Sequence, residues 1–230
     1  MSSPSTRTAI LDAAERLFGD IGYAATSMRQ LTSRAKVNLA AVNYHFGSKA
    51  ALAKAVLARA IAPINEERLR RLDALPVRAD VRSIVRAFVE PPLRGVDPEG
   101  NCSAERVCRV FGRISVEQPP FLETFLRQQF REVGGRFEAA LAAALPRLSA
   151  TTIWWRLHFL VGAMAHTLRN GRTLAALTDG RCDPSDIDAL LEHVVSFAVG
   201  GFAAQAPLPA RTRRSAAPRR GVARSKEIPA

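Results

Sequence analysis

Residues Ser27 to Lys49 read SMRQLTSRAKVNLAAVNYHFGSK, and the fold turns on this stretch. Ser27 followed three positions later by Gln30 is a capping-box pair, so a helix begins there. Met28, Leu31 and Ala35, at i, i+3 and i+7, form one buried stripe and leave Arg29, Thr32 and Ser33 toward solvent. Asn38, a strong N-cap type, opens a second short helix whose buried stripe is Leu39, Val42 and Phe46. Its outward positions are Ala40, Ala41, Asn43 and Tyr44: two small side chains that admit a groove wall, then an amide and a phenol able to bond bases or phosphates. Gly47 is expected to end it as a left-handed cap, with Ser48 capping the next helix. The open amides of that helix start, with the ammonium of Lys49, make an anion site. Two short capped helices joined by a tight turn are either members of an ordinary helical core or a helix-turn-helix, the element that reads duplex DNA in the major groove.

The wider pattern decides between them. Ala9-Ile10-Leu11-Asp12-Ala13-Ala14 and Leu17-Phe18 precede the segment, Gly22-Tyr23 and Thr26 lead into it, and Tyr44-His45-Phe46-Gly47-Ser48-Lys49 closes it. From Thr6 to Leu52 this resembles the N-terminal domain of TetR-family transcriptional repressors, and Asn38 to Lys49 is similar to a fatty-acid-responsive, PsrA-like subgroup. The resemblance implies DNA contacts from Thr26, Ser27, Arg29, Leu39 and Ala40, and from Ala41, Asn43, Tyr44, His45 and Lys49. It also implies an all-α fold: a three-helix helix-turn-helix domain over residues 1–65, a helical effector-binding and dimerisation domain over 66–206, and then a tail. Two positions depart from the pattern. Asn43 stands where the first of two aromatics is usual, and Lys36 occupies a turn position where glycine is usual. If that turn needs positive φ, lysine strains it by on the order of 1 kcal/mol.

The 230 residues are 47% apolar, enough for a sizeable core, and carry a formal net charge of +12, which favours a polyanionic partner. Half of that excess falls in residues 207–230, where Arg211, Arg213, Arg214, Arg219, Arg220, Arg224 and Lys226 lie among four prolines with little apolar content. That composition reads as a basic disordered tail, either a sequence-blind phosphate clamp or a solvated end. Cys102, Cys108 and Cys182 show no metal-ligand spacing and fit a reducing cytoplasm. Cys102 and Cys108 are either small hydrophobes or a redox pair, and Asn101-Cys102-Ser103 is an accidental glycosylation match. No apolar run reaches the length of a membrane span.

Beyond the head, helical patterns alternate with breakers. Pro63 allows a kink or a restart in the fourth helix, and Pro76 closes the stretch after it. The next helix, from about Asp80 to Val89, should stop at Pro91-Pro92, and others run from about Ala104 to Glu117 and from Phe121 to Leu145. Thr151 to about Arg169, a short piece at Leu174 to Leu177, and Ser185 to Ala204 complete the chain. A reading head needs a twin, because one half-site offers few contacts. The candidate interface is Leu157, Val161, Met164 and Leu168, with Ile187, Leu190, Leu191, Val194, Val195 and Phe197; burial within one chain is the competing role.

Candidate effector-pocket residues are Phe111, Phe125, Phe130, Trp155, His158, Phe159 and His166, with Arg109 and Arg113 one turn apart to hold a carboxylate or phosphate at the mouth. The resemblance points to a small apolar effector, a long-chain fatty acid or acyl-thioester, whose binding splays the two heads. No cofactor or metal is expected. An enzyme is not expected either, because Glu192-His193 lacks the second histidine of a zinc helix and there is no Gly-x-Ser-x-Gly elbow. The competing function is an effector-independent structural DNA-binding protein.

Overall fold

The computed structural model describes residues 5–95 and 104–205, with the side chains of α6 described from Arg109 onward. Nine helices and no strand occur among them: α1 (Thr6–Asp20), α2 (Met28–Ala35), α3 (Leu39–Phe46), α4 (Lys49–Asp73), α5 (Val81–Arg94), α6 (Ala104–Glu117), α7 (Leu122–Ala144), α8 (Ala150–Leu177) and α9 (Ile187–Ala203). The tail from 207 onward, Cys102 and the Asn101-Cys102-Ser103 match lie outside the described residues, as does the Cys108 side chain.

Two cores organise the helices. One gathers Ile10, Phe18, Leu31, Val42, Leu52 and Leu57 from α1 to α4, and is completed by Val110 and Ile114 of α6 and Leu122 and Phe125 of α7. The head is therefore not closed by its own helices. The other core joins α5, α7, α8 and α9 through Phe88, Phe137, Ile153, Leu191 and Phe202. Along α5, the pairs from Arg82 and Arg86 to Glu192, and from Arg94 to Asp188, fasten it to α9. Arg156 donates to the carbonyls of Phe202 and Ala204 at 2.7 and 2.8 Å, satisfying acceptors left open at the end of α9.

Three breakers do not break. α4 runs unbroken through Pro63 and past residue 65, held by Leu57, Ile61, Ile64 and Arg68 buried at i, i+4, i+7 and i+11, so the restart does not occur. α5 continues through Pro91 and Pro92, both buried. Pro92 has no N–H for the carbonyl of Phe88 four residues back; the buried guanidinium of Arg68 supplies the missing donor, Nε to O at 2.8 Å. Arg68 also lies 4.1 Å from the Phe88 ring centroid and donates to Asn65 Oδ1 at 3.2 Å, while Asn65 in turn donates to the carbonyl of Gln129. Burial pushes the Arg68 guanidinium down to about 9, which leaves it charged at neutral pH. Finally, α8 is one helix where two pieces were expected, because Gly171 is not a terminator. A Cβ there would stand 2.7 Å from the Pro184 ring, so the glycine admits the α8–α9 loop.

Candidate nucleic-acid interface

The turn between α2 and α3 is built as its residues dictate. Ser27 Oγ accepts the Gln30 N–H at 3.2 Å, and Gln30 Oε1 accepts the Ser27 N–H at 2.8 Å, so the capping box is complete. Lys36 ends α2 at φ 54° and ψ 42°, the left-handed conformation that costs a non-glycine residue on the order of 1 kcal/mol. Asn38 Oδ1 accepts the Ala41 N–H at 2.8 Å and starts α3; Ser48 Oγ accepts the Ala51 N–H at 3.1 Å and starts α4. Gly47 closes α3 at φ 73° but ψ −42°, so it has the positive φ only glycine adopts freely without being a left-handed helical cap.

Of the ten residues expected at DNA, Ser27, Arg29, Leu39, Ala40, Asn43 and Tyr44 are exposed. Val42 is fully buried and roots α3 in the head core. Tyr44 stands 86% exposed, with only the His45 ring edge-on at 5.1 Å. Leu39 is half exposed rather than part of the buried stripe, because a residue in the first position of an eight-residue helix lies at its open end. Ala41 and His45 are half-buried. Thr26 is 1% exposed, and its hydroxyl donates to the carbonyl of Gly22 at 2.6 Å, so it shapes the loop before α2 and does not reach solvent.

Lys49 is likewise turned inward. Its Nζ donates to the carbonyl of Ala24 at 3.3 Å and lies 4.6 Å from the Tyr23 ring centroid. Burial holds its pKa below the usual lysine range, against the upward pull of Glu117. Burial, and then the same carboxylate, raise the Tyr23 phenol. Glu117, at the end of α6, accepts the Tyr23 N–H at 3.0 Å and the Ala24 N–H at 2.7 Å. Sequence reasoning missed this residue, since 93 positions separate it from Ala24 and no local signal links them.

The nine expected pocket residues divide. Phe111, Phe125 and Phe130 pack on the head core. Trp155, His158 and Phe159 lie together on the outer face of α8, with Trp155 and Phe159 stacked 5.6 Å apart, and His166 is exposed one turn pair further on, bonded to Asn170. They do not share one cavity: Trp155 and Phe159 fall on the helix side opposite buried Leu157 and Leu160. Arg109 lies against α1, and Arg113 reaches the Gly22 loop. Of the interface candidates, Leu157, Met164, Leu191, Val194 and Val195 are buried within the chain, and Leu168, Ile187 and Leu190 partly so, whereas Val161 and Phe197 face out. The exposed apolar face of α8 is therefore Trp155 and Phe159, while Val161 emerges on a different side of that helix and Phe197 is exposed on α9.

An all-helical chain with a capped, outward-facing two-helix unit at one end and a helical body at the other defines the helix-turn-helix class. The family model for bacterial regulatory proteins of the tetR family matches residues 10–56, and that for the tetracyclin repressor-like C-terminal domain matches residues 86–201. The chain belongs to the TetR family. An HTH-type transcriptional repressor of Mycobacterium tuberculosis is 53% identical over 49 residues, 21% of this chain and 26% of that one. The chain thus matches about a quarter of the length of its curated relatives. Among solved structures, NalD of Pseudomonas aeruginosa, the secondary repressor of the MexAB-OprM multidrug efflux pump, is 26% identical with TM-score 0.61, over 85% of this chain and 94% of its own. The fatty acid degradation regulator FadR of Bacillus halodurans shares the fold at 12% identity, with TM-score 0.64 over 89% of this chain and 100% of its own.

Proposed function

We propose that this chain is a sequence-specific DNA-binding transcriptional regulator, working as a homodimer and acting as a repressor that a small apolar effector releases. The observation that carries the reading is the orientation of α3. Buried Val42 anchors one side, and Ala40, Asn43 and Tyr44 stand free on the other, at the end of the molecule where α2 braces the turn. Arg29 on α2 and Ser27 at its N-cap extend that face toward the flanking phosphates. Residues 1–65 act as the head, 66–206 as the effector-binding and dimerisation body, and the basic segment beyond adds phosphate affinity. The homodimer forms through Trp155 and Phe159 of α8 and Phe197 of α9, exposed apolar side chains that a second copy would cover.

The effector is of the fatty-acid or acyl-thioester class, a reading supported by the sequence of the head. A ligand must favour one conformation over the other, and 2 to 3 kcal/mol of difference changes operator affinity by about 30- to 150-fold. The test is selection of bound genomic fragments followed by footprinting at the chain's own promoter. A preference of at least about a thousandfold over scrambled duplex is expected. Uniform binding with a steep salt slope would instead mark a structural DNA-binding protein. Gel-shift titration with fatty acids and their thioesters tests the effector class, and unchanged affinity across the series would discard it.

A further inference from the structure

A concavity of about 760 Å³ lies where α6, the end of α8 and the start of α9 meet. Its apolar lining comes from Leu168, Ala175, Pro184, Ile187 and Leu190, and three arginines border it: Arg109, Arg169 and Arg172. Two glycines shape the place. Arg169 lies flat against α6 because Gly112 has no side chain: a Cβ there would stand 3.2 Å from Nη2. Gly171 lets Pro184 close the lining from the α8–α9 loop.

The charge is unbalanced. Among the described residues, Arg169 and Arg172 have no carboxylate within ion-pair distance, and Arg109 has only Asp20, at 3.9 Å. The one carboxylate in the lining, Asp183, is already engaged, accepting from Ser185 N–H at 2.9 Å and Ser185 Oγ at 2.6 Å. Three guanidinium groups thus border one apolar hollow that holds a single carboxylate, an excess of forked donors suited to an anionic ligand. The hollow lies 14 residues along α8 from Trp155, a rise of about 21 Å, so a second copy covering the Trp155 face leaves it open.

We infer that this concavity is a binding site for an amphiphilic anion, its carboxylate or phosphate head held by Arg109, Arg169 and Arg172 and its apolar body laid on Leu168, Ile187 and Leu190. The site deepens the effector reading above by fixing where the charged end of such a ligand is held. It also supplies a link to the head. The Arg109 stem crosses Gly19 of α1, 3.1 Å from where a Cβ would stand, and its guanidinium is the one that faces Asp20. An anion in the hollow competes with Asp20 for Arg109 and loosens α6 from α1.

Calorimetric titration of the full chain with decanoate, decyl phosphate, decanol and inorganic phosphate tests the site. The two anionic amphiphiles are expected to bind at least tenfold tighter than decanol or phosphate, with affinity falling at least tenfold in Arg172→Gln and in Arg169→Gln. The decanoate and decyl phosphate arms distinguish a carboxylate from a phosphate head. Equal affinity for decanol and decanoate, or binding untouched by both substitutions in variants that unfold at the wild-type temperature, overturns the site. Operator selection by the ligand-free chain is scored separately: its failure removes the regulator reading and leaves the titration result standing.

Discussion

The carboxylate of Glu117, on the last turn of α6, accepts the backbone N–H of Ala24 at 2.7 Å and, with its other oxygen, that of Tyr23 at 3.0 Å. The body of the protein thereby holds the loop from which α2 is launched. Gly22 makes this possible. It sits at φ 90°, and a Cβ there would stand 1.9 Å from Glu117 Oε1. Gly22→Ala meets both a forbidden conformation and a collision, and is expected to lose on the order of 2 kcal/mol or more. Glu117→Ala leaves two amides without their acceptor and should lose about 1 to 2 kcal/mol, since the site is partly open to solvent. Urea unfolding of both variants checks this, and a loss below about 0.5 kcal/mol for either would show that the contact does not hold the loop.

The Arg68 arrangement predicts a coupling. Arg68→Met removes the donor to the Phe88 carbonyl and the partner of Asn65, with an expected loss of about 2 kcal/mol after the relief of a buried charge is allowed for. Pro92→Ala restores the N–H that an unbroken α5 would supply. In the Arg68→Met background it should return about 1 kcal/mol, and in the wild-type background almost nothing. A double-mutant cycle with no coupling would mean that Arg68 does not substitute for the proline's lost donor.

These two relationships mark what the sequence could and could not disclose. The caps at Ser27, Asn38 and Ser48 were legible because each satisfies a backbone amide three residues away. The restart allowed at Pro63, the stop expected at Pro91-Pro92 and the division of α8 after Arg169 do not occur. A local buried stripe carries α4 through Pro63, whereas at Pro92 the missing donor comes from Arg68 of α4 and at Gly171 the Pro184 ring packs where a side chain would be, partners that no local pattern announces. The same limit holds for the site. Tyr44 and Asn43 lie on the outward arc that helical periodicity assigns them, but the inward turn of Lys49 depends on Ala24, Tyr23 and Glu117. Periodicity could not separate Trp155 and Phe159 as exposed surface from pocket wall, because aromatic residues are equally at home in either.

Acid should expose one ion-pair cluster. Hydrogen bonds from Arg70, and then from Arg71, hold the Glu67 carboxyl down to about 2, against the upward pull of burial. A carboxylate depressed in the folded state stabilises it fully above the ordinary value of 4.5, and the contribution disappears as pH falls through about 2. Urea midpoints at pH 5 and pH 3 should therefore differ less in Glu67→Gln than in the wild-type protein. Parallel pH dependence in the two would show that the pairing adds nothing.

The outer face of α8 predicts an assembly. Phe159 is 60% exposed and stacked on Trp155. Phe159→Asp would place a charge in the middle of any apolar contact between copies while leaving the chain's own core untouched, so folding stability should change by less than about 0.5 kcal/mol. Light scattering after size exclusion is expected to give a dimer for the wild-type protein and a monomer for Phe159→Asp. A variant that stays dimeric would move the interface elsewhere.

Asn43 and Tyr44, neighbours on α3, should fail differently. Tyr44 carries one hydroxyl on the exposed side of α3, where a phosphate contact contributes about 0.5 to 1.5 kcal/mol. Tyr44→Phe should weaken operator and random duplex alike, by about 2- to 12-fold, and leave the salt slope unchanged because no charge is lost. An amide at a base edge contributes about 1 to 3 kcal/mol of discrimination. Asn43→Ala should therefore lower operator affinity by about 5- to 150-fold, leave random duplex nearly unaffected, and relax preference at a single base pair. Competition binding with operators varied one pair at a time separates the two. Equal losses on operator and random DNA for Asn43→Ala would show that Asn43 touches the backbone, and the reading of bases would then pass to Ala40 and the exposed edge of Leu39.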